Sequence, residues 1–127
     1  MIFKAYKVKP DHRERSSINQ KSQWTVSEWA ELNLFIIAYN EDWTSPNKPQ
    51  LWSTNGRENK IGECMDGKSL TDLYIAKYIT DSNHHEWHGY PVSPRQYDIP
   101  PEEVLSLWLE RGLIDKTDKS RISKGKF

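Results

Sequence analysis

Aliphatic side chains are scarce in this chain, and that scarcity limits the kind of core it can build. Leu, Ile, Val and Phe account for 26 of the 127 residues, which is close to the lower limit for a folded domain. Six Trp and six Tyr compensate, because each of these side chains buries a large surface. The formal net charge is zero, which argues against disorder. We therefore expect one small domain over 1–127, with an aromatic-rich core.

The apolar pattern predicts an α+β fold in which two or three helices pack on a short antiparallel sheet. Runs rich in β-branched and aromatic residues favour strands. Asn55-Gly56 suits a tight hairpin turn because both residues tolerate positive φ, and Asp66-Gly67 marks another turn. The predicted strands cover 2–8, 31–39, 50–53 and 58–64.

Two segments fit both a helix and a strand. Thr25 and Glu28 form a capping-box pattern that would begin a helix, yet the dense β-branched and aromatic run at 31–39 favours a buried strand, and we predict the strand. In 69–80 the apolar residues follow helical spacing, and Ser69 with Asp72 resembles a capping box. There we predict a helix.

The C-terminal third predicts a helix at 101–111 that leads into a basic segment. Pro100 and Pro101 suit a first helical turn, and the acidic residues after them suit the positive end of the helix dipole. Gly112 is a candidate for the cap that ends this helix. A second, short basic helix is expected from Lys116 onwards.

Three stretches have the composition of linkers or tails. Residues 10–23 contain one large aliphatic side chain, Ile18, and we expect a flexible loop there. Residues 90–101 contain four prolines and predict a rigid extended connector. Residues 116–127 form the basic C-terminal segment.

Charge is unevenly distributed along the chain. Residues 1–21 carry a net charge of +4, residues 116–127 also carry +4, and the body between them carries −8. Such asymmetry favours charged partners, although the basic ends could instead fold back on the acidic body. Trp29 and Trp108 lie in apolar surroundings and are expected in the core. Polar neighbours predict exposure for Trp43 and Trp87, which we expect to form a protein-binding edge with Glu41 and Asp42. The alternative is that one of these indoles folds back over the small core.

The basic C-terminal segment is a candidate nucleic-acid contact. A helix, a glycine turn and a basic helix have the outline of a helix-turn-helix. The alternative is a packed helix followed by a frayed tail. The candidate phosphate-binding side chains are Lys116, Lys119, Arg121, Lys124 and Lys126.

Three of the four histidines fall within five residues. His84, His85 and His88 could serve as acid and base in an endoribonuclease, because the imidazole pKa lies near neutrality. Arg95 or Arg121 would then stabilise charge, and Tyr90 could donate a proton. In an extended segment, His84, Glu86 and His88 would share one face and could bind zinc. A structural surface loop is the third interpretation.

The sequence excludes several classes of protein. It has no apolar run long enough to cross a membrane, and its N-terminus does not resemble a secretory signal. Cys64 is the single cysteine, so we expect a reducing cytoplasm and no internal disulfide. A nucleotide-binding glycine loop is also missing.

The leading hypothesis is a non-catalytic binding domain without a cofactor, which contacts a protein and could contact nucleic acid. Two alternatives remain: a small endoribonuclease-like toxin or metal-dependent enzyme, and an immunity or inhibitor protein that masks a basic enzyme. In size and composition the chain resembles small accessory proteins of bacteria and phages.

Overall fold

A computed structural model describes residues 5–81, 83 and 85–127. Within these residues the α+β prediction is confirmed, with helices and strands in the following order. They are β1 (Ala5–Tyr6), β2 (Gln23–Trp24), α1 (Glu28–Asn40), β3 (Gln50–Thr54), β4 (Gly62–Asp66), β5 (Ser69–Leu73), β6 (Ile75–Thr80), β7 (Glu86–Val92), α2 (Glu102–Glu110) and α3 (Lys116–Ser123).

The strands form two sheets that share one extended stretch of chain. The first sheet has the order β1-β7-β6-β3 and the second has the order β2-β4-β5. All pairings are antiparallel except β1 with β7. Only Tyr74 separates β5 from β6, so the chain passes directly from one sheet to the other. The Trp24 indole donates a hydrogen bond to the Gly89 carbonyl at 3.4 Å, which joins the second sheet to β7.

Residues 31–39, predicted as a strand, belong to helix α1 instead. Ser27 caps this helix by accepting a hydrogen bond from the Ala30 amide at 3.1 Å. One face of α1 is buried and includes Leu34, Phe35 and Ala38. Large apolar side chains also occupy the exposed side of α1. Apolar residues on every side of a helix leave no helical periodicity in the sequence, which explains the wrong prediction.

Residues 69–80, predicted as a helix, form the strands β5 and β6. The turn at Asp66-Gly67 was predicted correctly, and it lets β5 pair with β4. Strand β6 lies between β3 and β7, and Ile75, Ala76 and Tyr78 are all buried there. A strand that is buried on both faces does not alternate between polar and apolar residues. The expected hairpin at Asn55-Gly56 is also wrong, because β3 pairs with β6 rather than β4.

The C-terminal helices follow the prediction closely. Val104, Leu105 and Trp108 of α2 are buried. Gly112 has a φ of 74°, and the next amide, of Leu113, bonds back to the Trp108 carbonyl at 3.0 Å, so this glycine ends α2 as expected. A reciprocal capping box of Asp115 and Asp118 begins α3.

The predicted linkers contain more structure than their composition indicates. Residues 10–23 include two short 3-10 turns, Pro10–Arg13 and Arg15–Ser17, and reach the first residue of β2. The first three residues of the 90–101 connector belong to β7, and a 3-10 turn follows at Pro94–Gln96. Of the strand predicted at 2–8, Ala5–Tyr6 pairs with β7, while its first residues lie outside the described part of the chain.

Candidate functional site

The expected protein-binding edge does not expose its tryptophans. Trp43 is 2% exposed and Trp87 is 6% exposed, so the expectation of exposed indoles is wrong. Alternation along β7 turns Trp87 inward, where its ring lies 5.7 Å from that of Phe35. The Trp43 amide bonds back to the Ala38 carbonyl at the end of α1, and this turn directs its indole onto Trp108.

The acidic part of that edge remains at the surface. Glu41 and Asp42 are both exposed directly after α1. Glu41 forms an ion pair with Arg111 at 2.8 Å, and both side chains are close to half-exposed. At the other end of the helix, Glu28 is exposed in the first turn. Carboxylates therefore lie at both ends of α1.

An exposed tryptophan does occur, at a position that the sequence placed in the core. Trp29 is 71% exposed, and Trp29, Leu32, Ile36 and Tyr39 follow one another at spacings of three, four and three residues. This spacing places them on one side of a helix, which we call the α1 face. Ile36 and Tyr39 are exposed and Leu32 is half-buried. Trp108, the other predicted core tryptophan, is fully buried.

A second feature is a cleft of about 510 Å³ beside β7, which we call the histidine cleft. Alternation along β7 places His88 and Tyr90 on the same face, and the 3-10 turn Pro10–Arg13 carries His12 opposite them. The His12 ring is stacked on the Tyr90 ring with centroids 5.0 Å apart. The charged and titratable side chains that line the cleft are Lys9, Asp11, His12, Lys21, Cys64, His88, Tyr90 and Asp98.

Burial shifts the titration of three groups in this cleft. It lowers the pKa of His12, against the opposing effects of the Ser22 carbonyl and Asp11. It also lowers the pKa of His88, which Lys9 and, when it is protonated, His12 lower further, while Glu86 opposes them. The Tyr90 pKa is raised by burial. Both imidazoles are therefore held towards their neutral forms.

The structure divides the predicted histidine cluster. His88 lines the cleft, whereas His85 is exposed just before β7, and His84 lies outside the described residues. Glu86 and His88 project from the same face of β7, as the metal hypothesis required. Among residues 5–81, 83 and 85–127, no group of three or more His, Cys, Asp or Glu side chains is placed to hold a metal ion.

Sequence reasoning missed His12, Lys9 and Lys21 as partners of His88. They are far from His88 in the sequence. The parallel pairing of β1 with β7 brings the segment that follows β1, which carries these three residues, beside His88. No local spacing carried that information. The arginines proposed as partners, Arg95 and Arg121, line a separate cleft together with Arg57.

The basic C-terminal segment is folded as α3 and the residues after it. Lys119 binds Glu102 at 2.6 Å and Ser106 Oγ at 3.2 Å, which turns it towards α2. Arg121 donates to the Lys126 carbonyl at 3.2 Å. The three remaining basic side chains, Lys116, Lys124 and Lys126, are exposed.

Comparisons of the chain with protein-family models, with curated protein sequences and with solved structures find no match. The class that the fold defines is a small α+β domain with two mostly antiparallel sheets of four and three strands. None of the helices in the described part of the chain combines the length and apolar character of a membrane span.

Proposed function

We propose that this chain is a binding domain that contacts a protein partner through the α1 face. The supporting observation is a concentration of exposed apolar surface: of the seven large apolar side chains exposed among the described residues, three belong to the α1 face and a fourth, Ile37, also lies on α1. Scattered exposed apolar residues are ordinary, whereas a contiguous patch marks an interaction surface. Trp29 is the natural anchor, because tryptophan is enriched among residues that dominate binding energy.

The surrounding charge favours a basic partner. Residues 22–115 carry a net charge of −8, and exposed Glu28 and Asp42 lie near the two ends of α1, where Glu41 is already paired with Arg111. Complementary charge accelerates association and selects the partner. The partner we propose has an apolar centre flanked by Lys and Arg. The proposed surface still combines acidic residues with a tryptophan, as we expected from the sequence. The tryptophan is Trp29, however, and not Trp43 or Trp87.

The test compares a face variant with a matched control. Trp29→Ser combined with Ile36→Ser removes two exposed apolar side chains from the α1 face, and Leu70→Ser removes one from β5. Proteins retained by the tagged wild-type chain are identified, and each complex is rebuilt from purified components. We expect a basic partner that binds the wild type and the Leu70 variant but does not bind the face variant. Its complex with the wild type should dissociate as the salt concentration rises.

Two outcomes would contradict the proposal. Equal binding of the partner by the face variant and the wild type would place the interface elsewhere. A wild-type dimer in light scattering that the face substitutions convert to a monomer would make the α1 face a contact between two copies of this chain.

An immunity or inhibitor role is the form that this proposal takes when the basic partner is an enzyme. An acidic surface that covers a basic active site inhibits by occupying it. The rebuilt complex would then show lost enzyme activity, and the face variant would restore it. A partner whose activity is unchanged in the complex would argue for an accessory role instead.

Contact with nucleic acid through the basic C-terminal segment remains part of the proposal. Its support is the exposure of Lys116, Lys124 and Lys126 on and after α3. Fluorescence anisotropy with labelled duplex DNA should show binding that weakens steeply with salt. Replacing these three lysines by Glu should abolish that binding, and retained binding would remove this segment from the account.

We propose a reducing cytoplasm as the compartment. The support is the single cysteine, Cys64, whose thiol is buried and free. Binding through an apolar helix face needs neither a cofactor nor a metal ion. Bacterial and phage proteins are the partners we would search first.

A further inference from the structure

We propose that the histidine cleft cleaves single-stranded RNA, with His12 as the general base and His88 as the general acid. This activity is separate from the binding function, because the four residues of the α1 face lie outside the cleft. The cleft volume of about 510 Å³ falls within the range of about 300–1,000 Å³ found for ligand pockets.

His12 has the tautomer that a base requires. Its Nδ1 lies 2.8 Å from the Ser22 carbonyl oxygen. A carbonyl can only accept a hydrogen bond, so Nδ1 carries the proton and Nε2 carries the lone pair. Stacking on Tyr90 holds the ring plane. Burial keeps the pKa of His12 below its usual value, and the imidazole is therefore neutral and able to accept a proton at neutral pH.

His88 is placed to act as the acid once an anion enters. Its pKa in the free cleft is lowered by burial and by the positive charge of Lys9. A bound phosphate would add a negative charge beside it and favour the imidazolium form. The Tyr90 hydroxyl, whose pKa burial raises, remains protonated and can donate a hydrogen bond to a phosphate oxygen.

The cleft also holds cations that suit the charged transition state of phosphoryl transfer. Lys9 and Lys21 line it and can stabilise the negative charge that develops on the phosphate oxygens. Of the two carboxylates in the lining, Asp98 is paired with Lys77 at 3.1 Å, while Asp11 raises the pKa of His12. Glu86, outside the lining, raises the pKa of His88.

RNA fits this set of groups because it brings its own nucleophile. The thiol of Cys64 also lines the cleft, but burial raises its pKa and keeps it in the unreactive protonated form. The 2′-hydroxyl of a ribose needs no protein nucleophile. A base, an acid and nearby positive charge are sufficient for its attack on the adjacent phosphate.

The proposed step balances in protons and bonds. His12 Nε2 takes the proton of the 2′-hydroxyl while the 2′-oxygen forms a bond to phosphorus. The bond from phosphorus to the 5′-oxygen breaks, and His88 gives its proton to that leaving oxygen. The products are a 2′,3′-cyclic phosphate and a free 5′-hydroxyl, and solvent returns both histidines to their starting states.

The experiment follows cleavage of a labelled single-stranded RNA in the presence of EDTA, with DNA of the same sequence as a substrate control. The wild-type chain should produce fragments with cyclic phosphate ends and leave the DNA intact. His88→Ala and His12→Ala should each slow cleavage by about 100-fold or more, the usual contribution of a general acid or base. His85→Ala is the matched control, because His85 is exposed outside the cleft.

Several results would overturn the proposal. Absence of RNA cleavage, equal cleavage of the DNA, or loss of cleavage on adding EDTA would each exclude the mechanism. Retained activity in either cleft variant would assign the cleavage to another site or to a contaminating nuclease. Because His12→Ala could fail to fold, the wild type is also titrated by NMR with uridine 3′-phosphate. The proposal requires the C2 protons of both His12 and His88 to shift, and unmoved signals would contradict it.

Discussion

Arg13 binds Glu31 across the boundary between the 10–23 segment and α1. Two guanidinium nitrogens reach the same carboxylate oxygen at 2.8 and 3.1 Å, and Glu31 is completely buried. The Tyr6 hydroxyl donates to the other carboxylate oxygen. This ion pair fixes the turn that carries His12, so one buried contact holds both a wall of the histidine cleft and the helix that presents the α1 face.

Loss of Arg13 should destabilise the protein strongly. Arg13→Met leaves the Glu31 carboxylate buried without its cation. We expect a loss of about 3 kcal/mol in the free energy of unfolding, the low end for a broken buried pair, because Arg13 retains some exposure. Arg15→Met is the control, since the more exposed Arg15–Glu63 pair should be worth less than about 1 kcal/mol. Urea denaturation measures both, and equal losses would contradict the assignment.

The same substitution has a predictable pH dependence. Burial raises the pKa of Glu31 even in the wild type, and removal of Arg13 raises it further. The folded variant then binds a proton at a pH where the unfolded chain has already lost it, so acidification stabilises the variant. The difference in unfolding free energy between wild type and Arg13→Met should narrow as pH falls from 7 towards 5, and a widening difference would be inconsistent with a buried carboxylate.

For the two cleft histidines of the wild type we expect the opposite pH dependence: their contribution to the unfolding free energy falls as the pH falls. Their pKa values are lowered in the folded state, so the unfolded chain takes up protons first as the pH falls below about 6.5. The histidine contribution to stability is therefore lost over that range. NMR titration of the C2 protons should give midpoints below 6.5 for His12 and His88, and His12→Gln should weaken the acid destabilisation. Midpoints above 6.5 would show that the cleft is not desolvated.

Gly89 is fixed by the close approach of Tyr78. A Cβ at this position would lie 2.2 Å from Tyr78 Cδ1, and Tyr78 cannot move because it is fully buried and donates to the Glu31 carbonyl at 2.9 Å. We expect Gly89→Ala to cost about 3 kcal/mol or more by overpacking. Gly67→Ala is the comparison: its site is open but has a φ of 65°, and it should cost about 1 kcal/mol. Thermal melts measure both losses of stability. A larger loss for Gly67→Ala than for Gly89→Ala would contradict the strand pairing that places Tyr78 beside Gly89.

Substitution of the α1 face should leave stability almost unchanged. Trp29 and Ile36 are exposed, so replacing either by Ser should alter the unfolding free energy by no more than about 0.5 kcal/mol. Leu34→Ala, on the buried side of the same helix, should cost about 2–5 kcal/mol. A large loss from the Trp29 substitution would mean that this indole belongs to the core and not to a binding surface.

The sequence predicted elements whose signals are local. Helix α2 and the glycine that ends it follow from prolines, early carboxylates and an apolar stripe within a dozen residues, and α3 follows from its basic segment. Helix α1 was predicted as a strand because its apolar residues show no helical periodicity. Strand β6 was predicted as a helix because its apolar residues do not alternate with polar ones. For α1 the cause is an exposed apolar face, and for β6 it is burial on both faces of the strand.

The candidate sites depended on contacts that no local pattern encodes. The polar neighbours of Trp43 and Trp87 indicated exposure, but a turn after α1 and alternation along β7 bury both indoles. His12 lines the same cleft as His88 because β1 pairs in parallel with β7. His88 was already a candidate because of its histidine-rich surroundings in the sequence, and it lines the cleft.

The most direct test of the proposed function is site-specific photocrosslinking from the α1 face. A photoreactive phenylalanine analogue is placed at Ile36 and, as a control, at the exposed Leu70 of β5, and the chain is irradiated in the cells that produce it. We predict that one basic protein is crosslinked to position 36 and is absent from the crosslinks at position 70. Equal labelling from both positions, or crosslinks from position 36 to a second copy of this chain alone, would contradict it.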